Sequence, residues 1–447
     1  MQDVRTSGAT SRRHSWSIRV KRRPACPQAP MINTFDDVGR IRLLTEACPM
    51  LTVRSPIPAT IATLPRPLAL AFLGLFFVPG VAQALLLTVV PLEALSILGD
   101  ARSVTLLYVA TGLVAVVGRF SIPYLFMLIQ RRFVFTLGTL CLAISSTLLA
   151  FDKLLLLAAG LVLSTFAFAC LEITSQLYLL DTVPRRALKH FEPIRIFAIA
   201  GPWTLGPWLG VYLQRTVSFV TPFTVAALAG VLLLILFWSL RLADGGALTA
   251  MRRSAPNPAL YLHRFFAQPR LRLAWTLAAA RSSWWSMFYV YTPIFAVTAG
   301  LGAEAGGVIT SIGTAWIWLV PVWGWVGRRY GLRRLLQAGY AAAGFLSFLA
   351  ALSFGTPLLG ATMLVLAALG TETIDGAGNL LFLRAVHPYE RPEMTTVFVS
   401  FRDVAQLAPP VVCSLLLSLF SLPSVFAAAG TMMLASSALS SRIPRRL

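Results

Sequence analysis

The stretch Gly324–Arg334, GWVGRRYGLRR, decides how the chain is read. An apolar run closes at Trp318–Trp325, and another opens at once with Leu335 and continues past Leu346. Between them stand Arg328, Arg329, Arg333 and Arg334, with Gly331 in the middle. Glycine tolerates the backbone angles of a tight turn. Two apolar runs joined by a short arginine-rich turn predict two membrane helices whose turn lies on the cytoplasmic side.

Composition extends this reading to the whole chain. Of 447 residues, 57% are hydrophobic and 12% charged, and the mean hydropathy is +0.74. A soluble domain carries about a quarter charged residues. Apolar runs of about 20 residues recur, each long enough to span a bilayer. A β-barrel would show short alternating segments instead. The formal charge is +21, nearly all from arginine, with Lys21, Lys153 and Lys189 the only lysines. On a soluble protein such a charge points to nucleic acid. Here the arginines fall in alternate loops, so topology accounts for them and no nucleic-acid partner is expected.

Taken in order, residues 1–65 form a basic segment with no long apolar run, expected to be a cytoplasmic tail without fixed structure or sequence upstream of a later start. A basic tail on anionic lipid is the sharper alternative. Twelve spans follow, at roughly 68–90, 104–128, 133–151, 154–180, 193–213, 218–240, 272–298, 305–326, 335–353, 357–384, 395–420 and 423–441. With the N-terminus inside, the inside loops hold Arg131/Arg132, Arg185/Arg186/Lys189, the arginines of 241–270, and Arg328 to Arg334. The outside loops hold little beyond Arg102, Lys153 and Arg215. This asymmetry predicts both termini inside. The expected organisation is an N-terminal six-helix bundle over 66–241, a cytoplasmic linker over 242–270 and a C-terminal six-helix bundle over 271–447.

The quoted turn resembles the loop signature of the major facilitator superfamily of secondary transporters. Gly324, Arg329, Gly331 and Arg334 fit that signature, with Arg333 in the basic pair; Arg328 stands where the family has an aspartate. A weaker copy, PYLFMLIQRRFVFTLG, runs from Pro123 to Gly138 and keeps Arg131 and Arg132. Internal parallels agree. Glu172 precedes Gln176 near the end of span 4, as Asp375 precedes Asn379 near the end of span 10. Arg195 precedes Pro202 by seven residues in span 5, as Arg402 precedes Pro409 in span 11. Repeated halves are a hallmark of secondary transporters. The resemblance implies two pseudo-symmetric six-helix bundles, a gating loop at Gly324, Arg328, Arg329, Gly331, Arg333 and Arg334, and a monomer. Gly201, Gly206, Pro207 and Gly210 of span 5 resemble the Gly-Pro motif of the family's proton antiporters, which favours export.

Ionisable groups inside a bilayer are costly and mark functional sites. Residues three or four apart share a helix face. Glu172 shares one with Gln176; Glu372 and Asp375 share one with Asn379; Arg281 shares one with Trp284 and Trp285; Arg402 lies on a face with Gln406, beside Asp403. Arg119, Glu172, Arg281, Asp375 and Asp403 each stand some ten residues from the cytoplasmic end of a span, about 15 Å deep. That depth is near the bilayer midplane, where transporter sites lie. Glu172 and Asp375 are the candidates for a coupling proton; the alternative is a static pair with an arginine such as Arg195 or Arg402. Arg119 and Asp403 are expected to face each other across the halves, or else to pair within their own. The remaining cavity candidates are Gln176, Arg281, Trp284, Trp285, Glu372, Asn379 and Arg402, with Trp316, Trp318 and Trp323 as further aromatics.

No phosphate-binding loop, nucleophile elbow or HExxH motif is present. Cys26, Cys48, Cys141, Cys170 and Cys413 and the four histidines lack metal-ligand spacing, so no metal, cofactor or catalytic residue is expected. The sequence therefore predicts a multi-pass protein of the bacterial inner membrane that moves a small organic solute by alternating access. Proton-coupled efflux is the first reading, and proton-coupled uptake of an organic, possibly anionic, solute the alternative. A non-transporting sensor or a membrane-embedded enzyme is the reading from a different class.

Overall fold

The computed structural model describes residues 66–182, 185–240, 258–387 and 390–444. The basic N-terminal segment and residues 241–257 of the linker lie outside the described residues. Every described element is helical. The first six are α1 (Arg66–Leu98), α2 (Ala101–Leu128), α3 (Arg131–Leu149), α4 (Leu154–Thr182), α5 (Arg185–Thr216) and α6 (Thr221–Ser239). Then come α7 (Pro258–Ala267), α8 (Pro269–Thr298), α9 (Ala303–Ala315), α10 (Val320–Tyr330), α11 (Leu332–Leu352) and α12 (Pro357–Asp375). The chain closes with α13 (Leu380–Ala385), α14 (Arg391–Val399), α15 (Phe401–Leu419) and α16 (Pro423–Ser440). Among the described residues, nine helical stretches are long and apolar enough to cross a membrane.

Three expected continuous spans are interrupted. A 3-10 turn, Trp316–Leu319, separates α9 from α10, with Pro321 close behind it. Residues 376–379 separate α12 from α13, where the backbone of Gly376 runs so close to Trp323 that a Cβ would meet its side chain at 2.3 Å. Ser400 separates α14 from α15. The second break corrects the reading of Asn379. It does not follow Asp375 on one helix face, because α12 ends at Asp375 and Asn379 stands at the N-terminal boundary of the next helix.

The quoted turn is as tight as expected. Gly331 adopts φ 94° between α10 and α11, a value that L side chains rarely accept. At the equivalent turn after α2, Arg131 is buried and its guanidinium holds Asp181 at 2.5 Å.

Packing repeats along the chain. In the first set, α3 lies on α4 and α6, and α1 on α5 and α6. In the second, α11 lies on α12 and α16, and α8 on α15 and α16. The two sets meet where α2 packs on α15 and α5 packs on α9. Small residues permit close crossings where lipid offers no hydrophobic gradient between helices. The α1–α5 seam is the clearest case: a Cβ on Gly210 would sit 2.2 Å from the Leu85 carbonyl oxygen, and one on Gly206 would sit 2.5 Å from the Ala84 Cβ.

Two outcomes follow for stability. Gly210→Ala is expected to cost about 1–3 kcal/mol through overpacking, whereas Gly201→Ala, which meets no heavy atom within 4 Å, is expected to cost nothing. Thermal unfolding midpoints of the two purified variants check this. Asp100 caps α2 by accepting from the Ser103 backbone N–H at 3.0 Å. Hydrogen bonds from the Ser103 side chain and backbone hold its carboxyl below the ordinary value of 3.8. A depressed value means the contribution is present above the ordinary carboxylate range and is lost as pH falls through the folded-state value. Asp100→Ala is therefore expected to lower stability by about 1 kcal/mol at neutral pH, with the gap from wild type closing on acidification; exposure of the site trims the pH-dependent part.

Candidate functional site

A cavity of about 600 Å³ lies between the two helix sets. Its walls come from α1, α2, α4 and α5 on one side and from α8 and α15 on the other. Arg119, Glu172, Gln176, Arg195, Trp285 and Arg402 line it. Glu172 and Gln176 share a face of α4, and Arg402 and Gln406 share a face of α15, so helical spacing delivers both pairs to the lining. Aromatic rings form one side, with Trp285 stacked on Tyr289 at 5.3 Å and Trp203 5.6 Å from Tyr289.

The charged groups are paired, and the pairs differ in place. Arg402 on α15 donates to Glu172 on α4 at 2.6 Å, joining the two sets; these side chains are 47% and 46% exposed. Arg119 on α2 donates to Asp403 on α15 at 3.1 Å, also across the sets, with each side chain 21% exposed. Arg281 on α8 holds Asp375 on α12 at 2.8 Å within the second set, and the Trp285 indole donates to the other oxygen of Asp375 at 2.9 Å. Arg195 stacks over the Phe76 ring at 4.8 Å.

Several residues singled out from the sequence stand elsewhere. Arg281, Glu372, Asp375, Asn379 and Asp403 lie outside the lining. Trp284 is buried and donates to Ser347 at 2.9 Å, so it faces α11 rather than the cavity beside Trp285. Trp316 donates to the Val365 carbonyl and Trp318 to Thr204, while Trp323 packs against Gly376. None of the three lines the cavity. In the arginine turn, Arg329 lies over Trp325 and Tyr330, and Arg328, Arg329 and Arg334 are exposed. Gly206 and Gly210 serve the α1–α5 seam, and Pro207 touches Gly307 of α9 across the sets.

Other participants carry no signal in the sequence pattern. Thr105 and Tyr291 share a hydrogen bond of 2.9 Å between α2 and α8. The Trp208 backbone N–H donates to Ser311, and the Thr314 hydroxyl to the Trp203 carbonyl oxygen, both between α5 and α9. Glu93 is buried in α1 with Gln214 donating to it at 3.4 Å. A lone acid in an apolar run, Pro91-Leu-Glu93, was the only available hint of it.

The Arg119–Asp403 contact is testable apart from any solute. A double-mutant cycle of Arg119→Ala and Asp403→Ala on unfolding midpoints is expected to return a coupling of about 1 kcal/mol. Strictly additive effects would show that the contact contributes nothing.

Comparison with known proteins accounts for this arrangement. A POT family transporter in complex with 5-aminolevulinic acid superposes with a TM-score of 0.68 at 12% identity, over 83% of this chain and 95% of that one. A peptide transporter POT in complex with sulfate gives 0.66 at 15%, over 85% and 94%. The nucleoside transporter NupG gives 0.66 at 14%, over 84% and 98%. At such identities the likeness shows the fold alone. No curated protein matches the chain. The Major Facilitator Superfamily profile matches residues 71–410, most of the chain. The helices long enough to cross a bilayer, the cavity between two sets of them and this match together make the chain an integral, multi-pass member of the major facilitator superfamily of transporters.

Proposed function

We propose that this protein is a proton-coupled transporter of a small organic anion that works by alternating access. Twelve spans, counting α9–α10, α12–α13 and α14–α15 as one each and leaving α7 to the linker, would form two six-helix halves over 66–241 and 271–447, joined by 242–270. Both termini would face the cytoplasm, since the arginine-rich turns then fall on that side and only Arg102 and Arg215 are left outside. A monomer in a bacterial cytoplasmic membrane completes the reading.

The observation that carries it is the Arg402–Glu172 pair. It joins the two halves, and nearly half of each side chain is open to the cavity. A pair that exposed contributes about 0–1 kcal/mol, so a ligand displaces it cheaply. An anionic group on the solute suits the Arg402 guanidinium, which offers a planar fork to a carboxylate or phosphate. Glu172 then loses its counter-charge. A carboxylate left without one in a confined site favours its neutral form. Solute and proton therefore bind together and leave the net charge of the site unchanged. The cross-half link is released in the same step, which frees the halves to rock. Arg195 adds a further guanidinium to the lining. The solved neighbours include a peptide transporter and a nucleoside transporter, and solutes of that size suit a cavity of about 600 Å³.

Efflux in exchange for protons is the second reading, and the Gly206-Pro207-Gly210 stretch supports it. That stretch packs on α1 and touches α9, a role that either direction of transport requires. The two readings differ in linkage. In symport, acidification tightens solute binding; in antiport, proton and solute compete and acidification weakens it.

Proteoliposomes holding the full chain, offered carboxylates, phosphates, peptides, nucleosides and amphiphilic drugs one at a time, decide the matter. An inside-alkaline pH gradient is expected to drive accumulation of an anionic solute. Glu172→Gln is expected to exchange that solute across the membrane yet no longer concentrate it. Accumulation driven only by the opposite gradient would favour efflux. Binding without movement would indicate a sensor. Undiminished accumulation in Glu172→Gln would remove the assigned proton site.

A further inference from the structure

Behind the aromatic side of the cavity lies a group that the transport reading does not use. Glu372 on α12 is 6% exposed, and its Oε2 is buried without a hydrogen-bond partner. Asp375 stands one turn further along the helix and engages both Arg281 and the Trp285 indole. Two carboxylates therefore share one guanidinium, and that guanidinium is committed to Asp375. Of the helices packed on α12, α10 and α11 bring Arg328, Arg329, Arg333 and Arg334, all at the turn around Gly331, where Arg328, Arg329 and Arg334 are exposed. From α8 comes Tyr289, which stacks on Trp285. From α11 comes Tyr340, whose hydroxyl donates to the Leu277 carbonyl oxygen at 2.6 Å. Residues 305–327, the part of α9 and α10 between Glu304 and that turn, contain no titratable side chain.

With both acids ionised, the cluster would keep one negative charge uncompensated away from water. A carboxyl in that position is buried far more cheaply as the neutral acid, and two carboxylates beside each other do not readily ionise together. We propose that Glu372 carries a proton in this structure and forms, with Asp375 and Arg281, a proton-binding site behind the cavity wall, separate from the Arg402–Glu172 pair.

The wall itself connects this site to the cavity. Trp285 presents its ring to the cavity while its indole N–H holds Asp375. A solute that shifts the Trp285–Tyr289 stack alters the hydrogen bonding of Asp375, and with it the share of Arg281 open to Glu372. Release of the Glu372 proton to water then becomes coupled to occupancy of the cavity. That use in coupling rests on the transport reading; the proton on Glu372 does not.

Infrared spectroscopy of the full chain in phospholipid tests the site without any solute or flux. The spectrum of wild type minus Glu372→Gln at neutral pH is expected to contain the C=O stretch of a protonated carboxyl. Wild type minus Glu172→Gln is expected to lack that band. Asp375→Asn leaves Arg281 free for Glu372, which should then ionise, so the same band is expected to vanish in that variant. A Glu372 difference spectrum that shows loss of a carboxylate instead overturns the proposal. Should Glu372→Gln fail to fold, Asp375→Asn decides: a band retained at full strength shows that Asp375 and Arg281 do not set it, and the site is rejected. Failure of the transport assay leaves these spectra unaffected, so the two readings fail separately.

Discussion

Charge has no water to lean on in the core of a bilayer, and the rest of this structure is arranged around that constraint. A charged side chain there needs a counter-charge or a neutral form. Arg119, Arg281 and Arg402 are matched by Asp403, Asp375 and Glu172. Each match fixes which elements face one another: α2 beside α15, α4 across the cavity from α15, and α8 beside α12. The large apolar surface of the helices cannot make that choice, because lipid tails are as apolar as leucine. Polar pairing decides who neighbours whom, and small residues decide how close they come.

The two kinds of contact also divide the molecule mechanically. The α1–α5 seam is closed at Gly206 and Gly210 by backbone approach, which tolerates little change in distance. The junction between the helix sets is different in kind. It is made of hydrogen bonds such as Thr105–Tyr291 and Trp208–Ser311, and of two ion pairs beside a cavity. Each of those links is worth about 1 kcal/mol net. A seam of that strength can open and re-form, whereas an overpacked helix crossing cannot slide. The architecture thus concentrates its softness where the cavity lies.

Much of this was legible in the sequence, for definite reasons. Gly331 among arginines marked the turn, because only a few residues suit φ 94° and because arginine stays on one side of a membrane. Spacing of four placed Glu172 with Gln176 and Arg402 with Gln406, since α4 and α15 are continuous there. The same rule failed for Asn379, where the close approach of Gly376 to Trp323 breaks the helix and resets its register. It also failed to separate Trp284 from Trp285. Adjacent positions on α8 differ by a hundred degrees, but which direction is cavity and which is core depends on α11, contributed by distant sequence. Partner choice was invisible for a similar reason: both Arg195 and Arg402 were available to Glu172, and nothing in the sequence places α15 across the cavity from α4 with Arg402 on Glu172. Glu93, a single acid in an apolar run, offered no period from which to read its burial against α5.

The placement of the ion pairs gives a last distinction, between charges that hold and charges that switch. Arg131–Asp181 lies within the first helix set and Arg281–Asp375 within the second, and Arg264 of the linker helix α7 meets Glu390 just ahead of α14. Relative movement of the two sets leaves all three intact, so they serve the internal geometry of each set. Arg119–Asp403 and Arg402–Glu172 span the sets, and no rigid rotation preserves them. Of these two, the Arg402–Glu172 pair is the more exposed, so its loss costs less and its groups are the more available to a ligand. Arg119–Asp403 is better shielded and has the stronger claim to stabilise the state seen here. A ligand that takes Arg402 therefore removes one of two cross-set charge links and leaves the other as the remaining barrier. The turn at Gly324–Arg334 fits the same logic by contrast with its counterpart after α2. There a buried arginine is closed by Asp181, whereas at the corresponding end of α13 the chain has Arg384. The first half is latched by a charge of its own, and the second half presents arginines instead.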